Sequence, residues 1–371
     1  MVAITLGLII TAAIVTVFSS TRSTYQLDEG LARLQENARF AMETITRETR
    51  QAAAMGCKRW REDVSGSGVK ERPFNNLNGA SGGGPYDFGE MLLGFEASNT
   101  APGDTRSYAG GFPADATGDW TPALNTALVA NAMPGSDILV VRRISSAPAR
   151  LTGAFVTDDT VFLEATAANR FKKDDVVMVY DCAKASIFQV TSVVNGTELK
   201  HDSSGSPGNA CTNWFTGAAP PCKFGGSEAQ AYDESAEAAS VQTSAFYVAR
   251  GASGIPALFQ ATYPGGAQEL VEGVENMQIL YGIDDDSADG RVDRYDTADN
   301  VPAWGSVVAV RVSLLLSTVN TSGTSAGLGT DTSTYVLLGS DGATGVTIDP
   351  PDDNRRRRVF ESTILLRSRG F

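Results

Sequence analysis

The densest chemistry in this chain lies in one stretch, Asp285-Asp-Ser-Ala-Asp-Gly-Arg-Val-Asp-Arg-Tyr-Asp296. On the template of a calcium-binding loop, Asp285 takes position 1, Ser287 position 3 and Asp289 position 5. Gly290 falls on the required turn, the Arg291 carbonyl on position 7, Asp293 on 9 and Asp296 on 12. Oxygen ligands at alternate positions of a tight loop suit a hard cation, so calcium is the cofactor this spacing predicts. Two features depart from a helix-loop-helix calcium site: Asp instead of Glu at position 12, and a strand-like Met277–Ile283 ahead of the loop. The alternative reading is an acidic surface turn between two strands.

Catalytic readings are weaker. Gly323-Thr-Ser-Ala-Gly327 fits the nucleophile pattern G-x-S-x-G but lies in a Gly/Ser/Thr-rich stretch, without the strand-turn-helix context the elbow needs. The sole histidine, His201, sits in the loop-like Lys200-His-Asp-Ser-Ser and reads as a solvated loop residue. The acid pairs Asp158/Asp159 and Asp174/Asp175 read as turn residues. Arg355 to Arg358 could bind an anion, but Asp349, Asp352 and Asp353 stand beside it, which points to local charge balance. The chain is therefore expected not to be an enzyme. Its four cysteines, Cys57, Cys182, Cys211 and Cys222, contain no C-x-x-C pair, and with one histidine a zinc site is disfavoured. An even count favours disulfides in an oxidising compartment. Of the three pairings, Cys211 with Cys222 and Cys57 with Cys182 is preferred.

The elements that must position these residues begin with the first 56. Val2 to Phe18 is an uncharged apolar run just long enough to cross a bilayer as a helix. No basic leader precedes it and no small-residue cleavage site follows, so it reads as an anchor and not as a signal peptide. Beyond it, Leu27, Leu31, Leu34, Ala38, Ala41 and Ile45 recur at three- and four-residue spacing, the stripe of an amphipathic helix. Glu29/Arg33 and Glu43/Arg47 are favourable i, i+4 pairs. No proline occurs before Pro73, so the pattern predicts one rod up to Gly56, roughly 80 Å long at 1.5 Å per residue. A head of this size cannot cover such a rod; lipid or other subunits must cover the rest.

The chain divides on this reading into a transmembrane half-helix (1–20), an amphipathic half-helix (21–56) and a β-rich head (57–371). The head carries two loop-rich insertions, 61–134 and 201–240. Strands are expected over 137–144, 176–181, 187–194, 245–250, 277–283, 307–317 and 359–367 from their β-branched and aromatic runs. The fold class is α+β: a long N-terminal helix, transmembrane then amphipathic, packed on an antiparallel sheet. A net charge of −13 argues against a nucleic-acid partner.

Several short stretches, in order, resemble the PilW-type minor pilins of type IV pili. They are Leu31-Ala-Arg-Leu-Gln-Glu-Asn-Ala-Arg-Phe-Ala-Met42, Cys57 and Gly135-Ser-Asp-Ile-Leu139. Next come Asp181-Cys-Ala-Lys-Ala-Ser-Ile-Phe-Gln-Val190, Glu272-Gly-Val-Glu-Asn-Met-Gln-Ile-Leu-Tyr-Gly-Ile-Asp284 and Val307-Val-Ala-Val-Arg-Val-Ser-Leu-Leu-Leu316. The last are Arg357-Arg-Val-Phe360 and Leu365-Leu-Arg367. The family's leader is cleaved ahead of a Phe-Thr-Leu-(Ile/Val)-Glu-Leu stretch that is not in this sequence, so neither the processing site nor the family's subunit-pairing acid can be placed on it. The resemblance implies a minor pilin that primes assembly and sits at or near the pilus tip. Its partners would be other minor and major pilins, met through the helix, and a large tip adhesin. The head would wait in the periplasm beneath an inner-membrane anchor, then pass to the pilus. Alternatives are a minor pseudopilin of a type II secretion system, or a membrane-anchored calcium-binding adhesin that enters no filament.

Overall fold

The computed structural model describes residues 2–52, 73–79, 82–144, 147–152, 160–182, 184–210, 232–285, 289–319, 329–339 and 344–366. Val2–Arg50 is one unbroken helix of 49 residues, about 73 Å long. Its last turn carries Arg47 and Arg50, cations set at the negative end of the helix dipole. The Gln51 and Ala52 N–H groups close it on the Glu48 and Thr49 carbonyls. The expected end at Gly56 lies outside the described residues.

Two large sheets build the head. In a ten-stranded sheet the long strand Glu237–Arg250 is central, because it changes partners along its length. Its first residues pair with Val176–Tyr180, its middle with Ile138–Ile144, and its second half with Pro256–Tyr263 on the other edge. The second sheet runs Arg294–Asp296, Val274–Ile283, Val307–Ser317, Arg357–Leu365, every pair antiparallel. Among the described residues the parallel pairs are short: three residues between Thr347–Asp349 and Thr105–Ser107, and two between Phe74–Asn75 and the strand at Ser186 and Ile187. The expected α+β architecture is present, with four sheets among the described residues, two of them large, where one was expected.

Several strands escape the sequence reading, the three longest of them in the ten-stranded sheet. Leu92–Ala97 falls inside the stretch expected to be loop-rich, yet it is buried along its whole length between Ile138–Ile144 and Trp120–Thr121. Gly94 and Glu96 break its apolar run, which hid it. Pro256–Tyr263 and Ala267–Glu272 form a hairpin whose outer strand is largely solvent-facing and so lacks an apolar pattern. The single strand expected over 187–194 is two, Ala185–Gln189 and Ser192–Val194, in different sheets.

The segment Gly135-Ser136-Asp137 stitches the sheets together. The Asp137 N–H donates to the Met277 carbonyl at 2.8 Å, and the Met277 N–H donates to Ser136 Oγ at 3.1 Å. The side-chain amides of Asn276 and Gln278 donate to the Gly135 carbonyl at 2.7 and 3.0 Å. The largest apolar cluster fills the space around this seam, with Leu92, Leu139, Val141 and Phe246 from one sheet and Met277, Ile279, Val310 and Val312 from the other.

Candidate interaction surface of the N-terminal helix

The helix presents three surfaces. From Val2 to Gln26 every described side chain is exposed, and the most apolar window has a mean hydropathy of 2.4 with nothing from the head against it. By length and composition the helix can cross a membrane. Its hydroxyls are reconciled with that use: Thr11, Thr16 and Thr21 each donate to the carbonyl four residues earlier, at 2.8 to 2.9 Å. Bonded within the helix, these hydroxyls leave no unsatisfied donor toward lipid.

The second surface faces the head. Leu34, Ala38, Ala41 and Ile45 are buried in the chain's own core, continued by Ala52, while Leu27 and Leu31 are half-buried at the rim. Of the stripe expected to serve helix packing, the part from Leu34 onward packs on the head. One helix face cannot pack on two partners, and from Leu34 onward the head occupies it. The small side chains Ala38 and Ala41 let the helix backbone approach the sheets closely. At its end Glu48 is pinned by Arg143 of strand Ile138–Ile144, with Nε to Oε2 at 2.6 Å and Nη2 to Oε1 at 3.3 Å.

The third surface points away from the head. At 100° per residue, Phe18, Tyr25, Ala32 and Phe40 fall on the side opposite the buried stripe, at spacings of seven and eight residues. Tyr25 is 70% exposed and Phe40 51%. Phe40 stands out because all around it this half of the rod is charged, with Glu36, Arg39, Glu43 and Arg47 exposed. Glu29 and Arg33 pair at 2.6 Å on the same side. This face lies outside the three- and four-residue spacing of the apolar stripe; its signal is the isolated aromatics in a polar background.

The remaining predicted residues are placed as follows. In the acidic turn, Arg294 lies between Asp285 and Asp296, with Nε 2.8 Å from Asp285 Oδ2 and Nη1 on Asp296. Asp293 accepts the Asp285 N–H and Asp289 accepts the Arg291 N–H, both at 2.9 Å. Ser287 lies outside the described residues. Among the described residues no three His, Cys, Asp or Glu side chains converge as metal ligands; the carboxylates bond to the turn's backbone and to Arg294. Cys182 is disulfide-bonded; Cys57, Cys211 and Cys222 lie outside the described residues, as do Gly323–Gly327 and Asp158/Asp159.

His201 is not a solvated loop residue. It is fully buried and its ring packs on Phe188 with centroids 5.0 Å apart, because the segment after strand Glu198–Lys200 folds back over the sheet. Asp174 and Asp175 are turn residues as expected: Asp174 has φ +72°, and Asp175 accepts the Lys172 N–H at 2.8 Å. Of the four consecutive arginines, Arg357 is buried and closes ion pairs with Glu275 at 2.6 Å, Asp353 at 3.0 Å and Asp331 at 3.5 Å, which is charge balance within the head.

Comparison with known proteins gives the following. Among solved structures, a type IV-like pilin from Thermus thermophilus is similar at 12% sequence identity, covering 55% of this chain and 89% of its own, with a TM-score of 0.21. No curated protein matches the chain. The family model described as Type IV Pilus-assembly protein W matches residues 245–368, from the second half of the central strand through the whole four-stranded sheet. Over that third of the chain the match agrees with the resemblance to PilW-type pilins read from the sequence.

Proposed function

We propose that this protein is a minor pilin that primes a type IV pilus and remains at or near its tip, acting through the two helix surfaces the head leaves free. The observation that carries this reading is the bare rod: from Val2 to Gln26 no described side chain is covered by the head, and Phe40 beyond it is directed away from the head. In the inner membrane the apolar part is covered by lipid, with the head in the periplasm. On assembly it moves among other pilin helices, and burial at roughly 25 cal/mol per Å² is preserved in either setting. Phe40, beyond the reach of the bilayer core, gains burial only in the filament. A large tip adhesin is a further partner on this reading. A minor pseudopilin of a type II secretion system shares the same plan, and co-purification with pilus or secretion components distinguishes them.

The test is Phe40→Asp. The side chain is exposed, so the melting temperature is expected to stay within about 2 °C of wild type. Incorporation into sheared filaments, or pilus number in cells, is expected to fall at least about tenfold. Normal incorporation would leave the membrane-anchored protein that enters no filament as the better account. Calcium at the acidic turn is a separate proposal, since the ion would have to displace Arg294 from Asp285 and Asp296. A calcium-dependent rise in melting temperature that Asp289→Ala removes would support it, and a wild-type protein indifferent to calcium would end it.

A further inference from the structure

Between the two large sheets lies a polar cluster that the helix surfaces do not use. Glu96 stands near the end of strand Leu92–Ala97, Asp137 just ahead of Ile138–Ile144, and Tyr281 on Val274–Ile283. Glu96 is 6% exposed and Asp137 2%. Both oxygens of Asp137 accept backbone N–H groups, from Ala97 at 3.0 Å and Ile279 at 2.8 Å, an arrangement that favours its ionised form. Glu96 is held more loosely. Its Oε1 meets the Thr100 hydroxyl at 3.5 Å and the Ala298 N–H reaches its carboxyl, while Oε2 is buried with no hydrogen-bond partner. The Tyr281 hydroxyl is likewise buried without a partner. It sits so close over Gly94 that a Cβ there would lie 2.1 Å from the oxygen, and Trp304 packs edge-on against the ring at 4.9 Å.

The groups facing Glu96 are all acidic or neutral. Asp137 faces it from the neighbouring strand, Asp299 from the turn Ala298–Asn300, and Tyr281 from the second sheet. Among the described residues no Lys or Arg forms an ion pair with Glu96 or Asp137.

We propose that this seam is a proton latch: a proton on Glu96 lets the two sheets close over the pair, and its loss leaves two charges in one dry space and loosens the head. Burial first, then the charges of Asp137 and Asp299, push Glu96 up to about 10. Burial raises Asp137 to about 8 against its two backbone donors. An acid whose folded value lies above its unfolded one, ~4.3 for Glu, binds an extra proton in the folded state. Its contribution is complete below the unfolded value and is lost as pH rises toward the folded one.

The experiment is thermal melting of the full chain in detergent from about pH 6 to about pH 10, wild type against Glu96→Gln. Glutamine keeps the shape of the neutral acid and cannot ionise. The variant's melting temperature minus that of wild type is expected to rise with pH, by at least about 3 °C across the range. A difference that stays constant with pH overturns the latch. Should Glu96→Gln fail to fold, Asp299→Asn, an exposed change that removes one facing charge, is expected to give a smaller rise of the same sign, and a flat difference there overturns the latch equally.

Discussion

Replacing Arg357 by Met is expected to destabilise the head by about 3–5 kcal/mol, because it leaves an uncompensated charge in the interior. Arg357 and Glu275 side chains are both completely buried, and the guanidinium engages the carboxylate through two bonds, Nε to Oε2 at 2.6 Å and Nη2 to Oε1 at 3.3 Å. Burial by itself would pull the arginine down from its usual value. The Glu275 carboxylate, then Asp353, overcome that and hold it higher still. Without the guanidinium, Glu275 must take up a proton or unfold its surroundings at the start of Val274–Ile283. Asp353 is half-buried and can meet water, while Asp331 keeps the Ser333 N–H and the Tyr335 hydroxyl as donors. Removing both halves, Arg357→Met with Glu275→Leu, should therefore recover most of the loss, since replacing a whole buried pair by apolar groups is often neutral. Urea unfolding of the three proteins decides it: a single variant within about 1 kcal/mol of wild type would show that the pair carries no such burden.

The second large effect is expected at Ile45→Asp. Truncating a buried Ile to Ala alone costs about 2–5 kcal/mol, and a carboxylate at the same place adds desolvation with no cation supplied to offset it. Ile45 is wholly buried where the helix meets both sheets, so the loss should appear as detachment of residues 34–52 from the head. Limited proteolysis is the direct measurement: wild type is expected to resist cleavage in this stretch, and the variant to be cut there together with a lower melting temperature. Phe40→Asp introduces the same group five residues earlier on the opposite face and serves as the control. Equal protection in all three proteins would mean that the head does not hold the helix as described.

Much of this was legible in the sequence because it depends on local periodicity. The rod, its bilayer-length apolar start and the buried stripe follow from 3.6-residue spacing, which a single chain records regardless of what lies across from it. Val307–Ser317 was placed to the residue, since a strand buried on both faces reads as a continuous β-branched and aliphatic run. Leu92–Ala97 failed the same test because two of its positions serve the seam: Gly94 makes room for Tyr281, and Glu96 carries the buried acid. His201 failed because its neighbours are loop-forming residues, while its burial depends on Phe188, well upstream in the chain.

The four consecutive arginines show where the limit lies. Sequence gave charge balance with the adjacent acids, and Asp353 does pair with Arg357; the dominant partner, Glu275, is 82 residues away and only sheet register brings it there. Asp137 is similar. It is one acid in Gly135-Ser-Asp-Ile-Leu139 until two backbone donors from different sheets converge on it. By itself the sequence determined that this protein is a rod joined to a β-rich head, because spacing along one chain is enough to fix which helix face is apolar. Only the tertiary structure decided what each face meets. The stripe from Leu34 onward is spent on the protein's own core, leaving Phe40 and the described side chains from Val2 to Gln26 for others, since occupancy of a surface is a property of what packs against it and no local pattern encodes that.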